Sequence, residues 1–372
     1  MTTEPPQPAD EPSGAGQGAP RQSLGRAGAI MASGSLVSRA GGLVRAAPLT
    51  GVVGATGSAA DGFNVANTLP NQFYLLLAGG ALNAIPVPQI VRAKMRPNGD
   101  EFVNRIITLT LAVLAVATVT LMLAAPLLVR VYAKFDDPAA LRLTTIFAVI
   151  CLPQLFFYGL FTILGQVLNA NGRFAGFMWA PALANVVAVA GLVWFMQAGY
   201  PSGASPADWT PAMIGILAGT ATLSIAIQAL ALVIPLRRIG FRYRPVWGVR
   251  GHGLGEVSQV AKWTFGSLVV SQLGYVVTSR VLTGATERGK VLGESVSGLA
   301  AYQNAFLIVM LPHGLITVSL VTALYTSLSE AASRDDTRQV RRYHDQGLRL
   351  PAVIIVPGCV FLAVLAPYIT ST

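Results

Sequence analysis

The chain has 372 residues and a formal net charge of +10; 53% of its residues are hydrophobic and only 11% are charged. Soluble domains carry about 25% charged residues, so this composition excludes an ordinary soluble domain and predicts an all-α polytopic membrane protein. Nucleic acid is excluded as a partner, because the basic residues cluster in short connections between apolar segments rather than on one soluble face.

The start of the chain predicts a disordered tail. Residues 1–20 are rich in proline, glycine and acidic side chains and contain no apolar core. We therefore expect no cleavable signal peptide and no folded element there. The cytoplasmic tail is assigned to residues 1–25, before the first apolar segment.

About nine apolar segments follow, each long enough to cross a bilayer. Helices are expected, because lipid offers the backbone no hydrogen-bond partner and the alternating pattern of a barrel strand is absent. The predicted spans lie near residues 28–54, 63–91, 103–132, 143–168, 175–198, 211–236, 258–283, 298–325 and 349–369.

These spans divide into two groups. Residues 26–240 are predicted to form a first lobe of about six spans, residues 241–257 a basic cytoplasmic linker, and residues 258–372 a partial second lobe of about three spans. Residues 326–348 are charged and amphipathic, so we expect a helix along the cytoplasmic surface there. Because a lobe of three spans would be half-built, we expect the chain to be truncated or a fragment.

The distribution of lysine and arginine predicts the orientation. With the N-terminus in the cytoplasm, most basic residues fall in internal segments, as the positive-inside rule requires. The external segments then hold only Arg130, Lys134, Arg142, Arg288 and Lys290.

Two arginines interrupt the first apolar segment. Arg39 and Arg45 lie inside a stretch otherwise long enough to span a bilayer, where a charge costs at least ~2.5 kcal/mol and normally faces water or a partner. They are six positions apart, about 9 Å along a helix and roughly 120° around it. Both can reach one wide cavity suited to an anion, although Arg39 could instead extend to the cytoplasmic interface.

Polar residues also open the second predicted span. Asp61 could cap that helix, pair with an arginine or bind a coupling cation. Asn67 and Gln72 follow it, and such amides either line a polar path or fasten helices together. We include all three residues among the candidate substrate contacts.

Arg280 lies near the end of the seventh predicted span, about two turns after Gln272. It is either an interfacial structural residue or a cation of the second lobe that faces Arg39 and Arg45. The sequence contains no phosphate-binding loop, metal-spaced His/Cys cluster or nucleophile elbow. We therefore expect no catalytic residue, metal or cofactor.

Four runs carry a family resemblance: SRAGGLVR at residues 38–45, ADGFNVANTLPNQ at 60–72, AGGALNAIPVPQIV at 78–91 and LPHGLITVSLVTALYTSLSEAA at 311–332. They resemble the MurJ/MviN lipid II flippases of the multidrug/oligosaccharidyl-lipid/polysaccharide exporter superfamily. The resemblance implies a bacterial plasma-membrane protein that moves undecaprenyl-pyrophosphate-linked peptidoglycan precursor to the outer leaflet.

The same resemblance implies roles for single residues. Arg39 and Arg45 match the cavity arginines of the family's first helix, and Asp61 matches the acidic residue that starts its second helix. The chain departs from the family at Ala46, where an acidic residue is common, and after Tyr302, where no arginine follows. Family members also have about fourteen helices, two of which form a groove for the lipid tail.

The mechanism expected is alternating access. Two lobes enclose a cationic cavity that opens inward, binds a pyrophosphate-sugar headgroup through paired arginine hydrogen bonds, and then opens outward. The expected partners are the lipid-linked precursor, membrane lipids and cell-wall synthesis proteins. Three alternatives remain: export of another polyprenyl-linked glycan or a drug, a non-transporting scaffold for cell-wall enzymes, and a membrane glycosyltransferase. The adjacent acidic pairs lie in short loops or the tail, which is a poor place for the catalytic or metal-binding residues of a glycosyltransferase.

Overall fold

The structure of the protein is a computed structural model. It describes residues 21–80, 99–247, 258–312, 324, 327–328, 330–334 and 336–370. The helices in these ranges, α1 to α12 in chain order, are Arg21–Val53, Ser58–Gly80, Gly99–Leu123, Ala125–Tyr132, Pro138–Cys151, Gln154–Ala170, Phe174–Gln197, Pro211–Ala231, Val233–Arg238, Ser258–Leu292, Leu299–Pro312 and Thr337–Thr370.

Six helical stretches are long and apolar enough to cross a membrane: Glu101–Leu123, Pro138–Ala170, Phe174–Gln197, Pro211–Arg238, Phe265–Leu292 and Thr337–Leu365. The prediction of an all-α polytopic membrane protein is confirmed. Helix α1 is equally long, but Arg39, Arg45 and its many small residues lower its hydropathy. The total of nine spans stays a prediction, because residues 81–98 and 313–323 lie outside the described ranges.

Breaks divide three of the predicted spans into pairs of helices. Helix α5 ends at Cys151 and α6 begins at Gln154, with Pro153 between them. Proline has no backbone N–H and cannot continue the helical hydrogen bonding, which explains that break. Similar breaks separate α3 from α4 and α8 from α9.

The last helix joins two predicted elements. Helix α12 runs without a break from Thr337 to Thr370, so the charged residues 337–348 continue directly into the last apolar span. In the earlier part of the amphipathic segment the structure describes residues 327–328, 330–334 and 336, of which 327–328 and 330–333 are helical. Its position against a membrane surface stays a prediction.

Helices α1 to α9, the first group of helices, are held together by aromatic and small residues. Helix α1 packs on α7, α7 packs on α8, and α2 packs on α5. Phe147 of α5 meets Phe63 and Trp209 edge to face, with ring centroids 5.5 and 5.3 Å apart. Gly191 of α7 lies so close to Thr220 of α8 that a Cβ there would collide with it, which is the close approach that small residues allow in membrane helices.

Helix α10 leans on this group through its later part. It packs against α2 and α4, and its later residues Ser279 and Thr283 are fully buried. Among its earlier described side chains, Trp263 is 85% exposed and Phe265 is also exposed. The packed part of α10 therefore extends from about Gln272, which is buried, toward the end that the orientation rule places outside.

Candidate functional site

The second group of helices comprises α10 to α12. The residues that join it to the first group form a polar seam, defined as the hydrogen bonds between residues 50–72 and residues 272–304. Asp61, in the first turn of α2, is fully buried at its centre. Its Oδ1 accepts a hydrogen bond from the Ala300 backbone N–H at 2.8 Å, and its Oδ2 accepts one from Thr286 Oγ1 at 2.6 Å. Burying a carboxylate without such donors would be costly.

Ala300 lies in the first turn of α11, so the Asp61 carboxylate caps a helix of the other group rather than its own. The first N–H groups of a helix have no internal partner and carry a partial positive charge. An anion is therefore stabilised at this position. The sequence left three roles open to Asp61. The geometry is that of a helix cap, but the capped helix belongs to the other group, so the cap joins the two groups of helices.

The outer rim of the seam adds charge. Ser58 Oγ donates to Glu287 Oε1 at 2.6 Å, and Lys290 Nζ lies 3.2 Å from the same carboxylate oxygen. Lys290 also approaches Asp137 Oδ2 at 3.8 Å. Glu287 is nearly buried, whereas Lys290 is partly exposed, so the ion pair marks the boundary between the seam and solvent.

Uncharged side chains continue the seam toward mid-membrane depth. Asn304 donates to Thr50 Oγ1 at 3.0 Å, and Gln303 donates to Thr68 Oγ1 at 3.4 Å. Gln272 Nε2 donates to Gln72 Oε1 at 2.8 Å. Eleven positions separate Asp61 from Gln72, so the seam extends about 16 Å along α2.

Arg45 and Asn67 lie together inside the first group. They line a cavity of about 20 Å³ between α1, α2, α7 and α8, which is enough for a single water molecule. Asn67 Oδ1 accepts a hydrogen bond from Gln154 Nε2 at 3.1 Å, and the Arg45 guanidinium lies close enough to the Tyr158 hydroxyl to interact with it electrostatically.

Neither Arg39 nor Arg45 forms an ion pair with a carboxylate in the part of the chain that the structure describes. Both side chains are partly exposed. Next to Arg39, the Ser38 carbonyl accepts a hydrogen bond from Asn185 Nδ2 at 2.7 Å, which fixes α1 against α7. The two cations are thus held on a fixed helix without neutralisation.

Arg280 lies elsewhere. Its side chain is at the outer rim and donates to the carbonyl oxygens of Arg130 and Val131 at 2.6 and 3.3 Å. These carbonyls end α4, where a cation is favoured by the helix dipole. The structure brings Arg45 and Asn67 together and places Asp61 and Gln72 in the seam, whereas Arg280 is apart from both sets. A substrate contact for any of these residues stays a prediction.

Comparison with known proteins identifies the family. The family model described as lipid II flippase MurJ matches residues 52–372. The chain belongs to the MurJ family. The matched range includes Asp61, Asn67, Gln72 and Arg280 and begins after Arg39 and Arg45. Membership, together with the apolar helices, makes the chain a multi-pass protein of the bacterial inner membrane.

Two MurJ relatives illustrate the match. A probable lipid II flippase MurJ of Haemophilus influenzae is 26% identical over 356 residues, covering 89% of this chain and 64% of the relative. One from Rhizobium meliloti is 26% identical over 346 residues, covering 91% of this chain and 61% of the relative. The chain therefore spans less than two thirds of the length of these relatives.

Solved structures show the same fold. A lipid II flippase MurJ in an inward-closed conformation matches with a TM-score of 0.63 at 17% identity, over 90% of this chain and 65% of that one. A MATE protein in a bent conformation matches with a TM-score of 0.56, also at 17% identity, over 94% of this chain and 74% of that one. At these identities the likeness concerns the fold.

Several residues of this MurJ-family site were not identified from the sequence. Gln154 is a polar residue inside a long apolar run, and the criterion that singled out Arg39 would have found it. Thr286 and Ala300 carry no local signal, because their role depends on Asp61, which is more than 200 positions away.

Proposed function

We propose that this chain takes part in moving lipid II across the bacterial inner membrane by alternating access. The names of its relatives support the substrate, and the polar seam supports the mechanism. The observation that carries the mechanism is the buried Asp61 carboxylate, which joins the start of α2 to the start of α11.

The seam closes one end of the molecule in this proposal. With the N-terminus in the cytoplasm, as the positive-inside rule predicts, Asp61 and the rim pair of Glu287 and Lys290 lie on the external side. Helices α2 and α10 are joined there, while the early part of α10 around Trp263 is exposed. The described conformation is therefore closed outward.

Arg39 and Arg45 would receive the diphosphate of the headgroup. Guanidinium groups donate paired hydrogen bonds to phosphate oxygens, and each of these two lacks a carboxylate partner in the described ranges. The water-sized cavity beside Arg45 lies within the first group, so α1, α2, α7 and α8 would have to rearrange to admit the headgroup. Asn67, which shares that cavity, would then contact the same ligand.

The seam is built so that it can open. Each of its uncharged hydrogen bonds contributes on the order of 1 kcal/mol, because water replaces the lost partner. When α11 moves away from α2, water can solvate both the Asp61 carboxylate and the freed N–H groups. Membrane voltage is one available driving force and supplies about 2.3 kcal/mol per charge per 100 mV.

The test is translocation by the purified chain in vesicles that contain headgroup-labelled lipid II. We expect Arg45→Ala to abolish translocation, because the diphosphate loses its paired donor. Arg142→Ala is the matched control, since Arg142 is exposed at the rim, and it should leave the rate unchanged. Equal rates for the two variants, or no translocation by the unmodified chain, would contradict the proposal.

A further inference from the structure

A second cationic site lies at the opposite end of the first group of helices. A polar pocket of about 320 Å³ is framed by the beginning of α3, the turn after α6 and the segment after α9. Its polar side chains come from Asn104, Asn171, Arg242 and Arg244, and it contains no acidic residue. This pocket is separate from the cavity beside Arg45 and from the polar seam.

The pocket is fixed by its backbone. Helix α9 ends at Arg238, and Gly240 follows two positions later with a φ of +78°. The N–H groups of Gly240 and Phe241 donate to the carbonyls of Arg237 and Leu236, respectively. This is the Schellman arrangement that a glycine permits. The next residues then bind along α3, with the Arg244 N–H donating to Asn104 Oδ1 at 3.1 Å and the Val246 N–H donating to Thr108 Oγ1 at 3.2 Å.

Three of the four polar side chains have donors to spare, whereas Asn171 Nδ2 already donates to the Val167 carbonyl at 2.6 Å. Asn104 is only 5% exposed, and while its Oδ1 is occupied, its Nδ2 makes no hydrogen bond with the described residues. The guanidinium groups of Arg242 and Arg244 likewise have no hydrogen-bond or ion-pair partner there. An amide donor on a nearly buried residue and two exposed cations lining one pocket favour an anion with several acceptor oxygens.

The charges near the pocket support the same conclusion. The dipoles of α6 and α9 place about −0.5 of a unit charge at each C-terminal end. The full positive charges of Arg242 and Arg244 outweigh them. Arg173, Arg237 and Arg238 are exposed and lie within two positions of pocket-lining residues, but their side chains do not line the pocket. Glu101 of α3 is already paired with Arg105, at 2.8 Å between Oε1 and Nη2.

The pocket lies at the level where lipid headgroups are found. It is built at the ends of the apolar stretches Glu101–Leu123, Pro138–Ala170 and Pro211–Arg238. Tyr243 and Trp247, in the segment that forms its wall, are exposed, as aromatic residues are at a membrane interface. Basic pockets between helices at the cytoplasmic side bind phospholipid headgroups.

We propose that this pocket binds the phosphate of an anionic phospholipid in the leaflet predicted to be cytoplasmic, and that the lipid fastens the α6–α7 turn and the segment after α9 to α3. The ligand is a resident membrane lipid, and its site is independent of the translocation proposed above.

The test is a titration of the purified full chain with phosphatidylglycerol and, in parallel, phosphatidylcholine, with bound lipid counted by native mass spectrometry. We expect the paired variant Arg242→Gln/Arg244→Gln to weaken phosphatidylglycerol binding about tenfold or more. Asn104→Asp should do the same, because it keeps the acceptor for the Arg244 N–H but puts a negative charge in the pocket. Thermal unfolding of each variant checks that the fold is retained.

The matched control is Arg237→Gln/Arg238→Gln, which removes the same charge from α9 outside the pocket and should leave binding nearly unchanged. An equal loss in this control, or unchanged binding in Asn104→Asp, would overturn the proposal in favour of a diffuse basic surface. Displacement of the lipid by millimolar inorganic phosphate would overturn the lipid assignment, because the pocket would then hold a soluble anion.

Discussion

At the scale of single residues, Asp61 shows how one carboxylate can join two groups of helices. It is fully buried, and its two oxygens accept from different elements, Oδ2 from Thr286 in α10 and Oδ1 from Ala300 in α11. A carboxylate with two donors and a helix N-terminus is stable where a bare one would not be. The contact should therefore depend on acceptor geometry as well as on charge.

Asp61→Ala and Asp61→Asn separate these two contributions. The alanine leaves the Ala300 N–H without an acceptor, and we expect a loss of about 1–3 kcal/mol in the free energy of unfolding. The asparagine can still accept from Ala300 and donate to Thr286 Oγ1, whose own proton can turn to the Leu282 carbonyl 3.4 Å away. It should therefore cost less. Thermal unfolding in one detergent measures both, and equal losses would contradict this role of the carboxylate.

Gly298 offers a way to disturb the seam without touching Asp61. A Cβ at this position would collide with Thr286 Oγ1 and Asp61 Oδ2, so Gly298→Ala should force the start of α11 away from α2, at about 1–3 kcal/mol. Gly274→Ala is the control, because a Cβ there meets open space and should leave the free energy of unfolding unchanged. Gly293→Ala is unsuitable, because that glycine has a positive φ. Similar unfolding temperatures for the variants at 298 and 274 would argue against tight packing there.

The sequence showed which residues are unusual but not what they contact. Arg39, Arg45 and Asp61 are recognisable because charge is rare in apolar segments. The donors to Asp61 could not be predicted, since Thr286 and Ala300 are ordinary residues brought close only by packing of α10 and α11 on α2. The sequence could assign Arg280 neither to the rim nor to the cavity, because its position depends on the contact with the end of α4.

At the scale of helices, the main contact between the two groups is that of α2 with α10, extended by the approach of α11. Hydropathy predicted these helices well, because a membrane requires long apolar segments. The breaks at Ala124 and Leu232 were not predicted, since they leave the hydropathy of the segment unchanged. The angle at which α10 leans on α2 was not predictable either, because only tertiary contacts determine it.

A cross-link at the outer rim tests this arrangement of helices. Thr56 Oγ1 and Ser295 Oγ lie 3.3 Å apart, and both residues are exposed. In a Cys359→Ser background, which removes the exposed thiol, Thr56→Cys/Ser295→Cys should form a disulfide under mild oxidant, because the two side chains already meet. Mobility on a non-reducing gel after cleavage of the intervening chain measures it.

Thr56→Cys/Ser271→Cys is the control for that experiment. Ser271 is also exposed on α10. It precedes residue 295 by 24 positions, so it lies far from the rim along the helix axis. It should remain reduced under the same conditions. Cross-linking of both pairs at similar rates would contradict a fixed contact between the loop before α2 and the loop after α10.

At the scale of the whole molecule, the two groups of helices meet at one end and are open at the other. The seam lies at the end of Asp61 and Glu287, while Trp263 and Phe265 at the opposite end of α10 are exposed. If the groups rock about a middle region, opening one end must narrow the other. The division into lobes at residues 26–240 and 258–372 stays a prediction.

Distances between spin labels can test this rocking. Labels placed on exposed Leu36 in α1 and Phe265 in α10, in the Cys359→Ser background, report the separation of the open ends. We expect Gly298→Ala to add a population with a shorter distance, because loss of the seam lets this end close. Gly274→Ala should leave the distance distribution unchanged. If Gly298→Ala instead broadens the distance distribution toward longer as well as shorter distances, the variant loosens the helices locally and the rocking is contradicted.

The seam changes in chemical character with depth, from the ion pair of Lys290 and Glu287 at the rim to the amides of Gln272 and Gln72 inside. Dissolved ions screen exposed charges within about 10 Å at 0.1 M ionic strength but have little access to neutral groups enclosed by helices. Added salt should thus loosen the outermost contact and leave the inner ones intact. The two groups of helices would then separate in stages, beginning at the mouth.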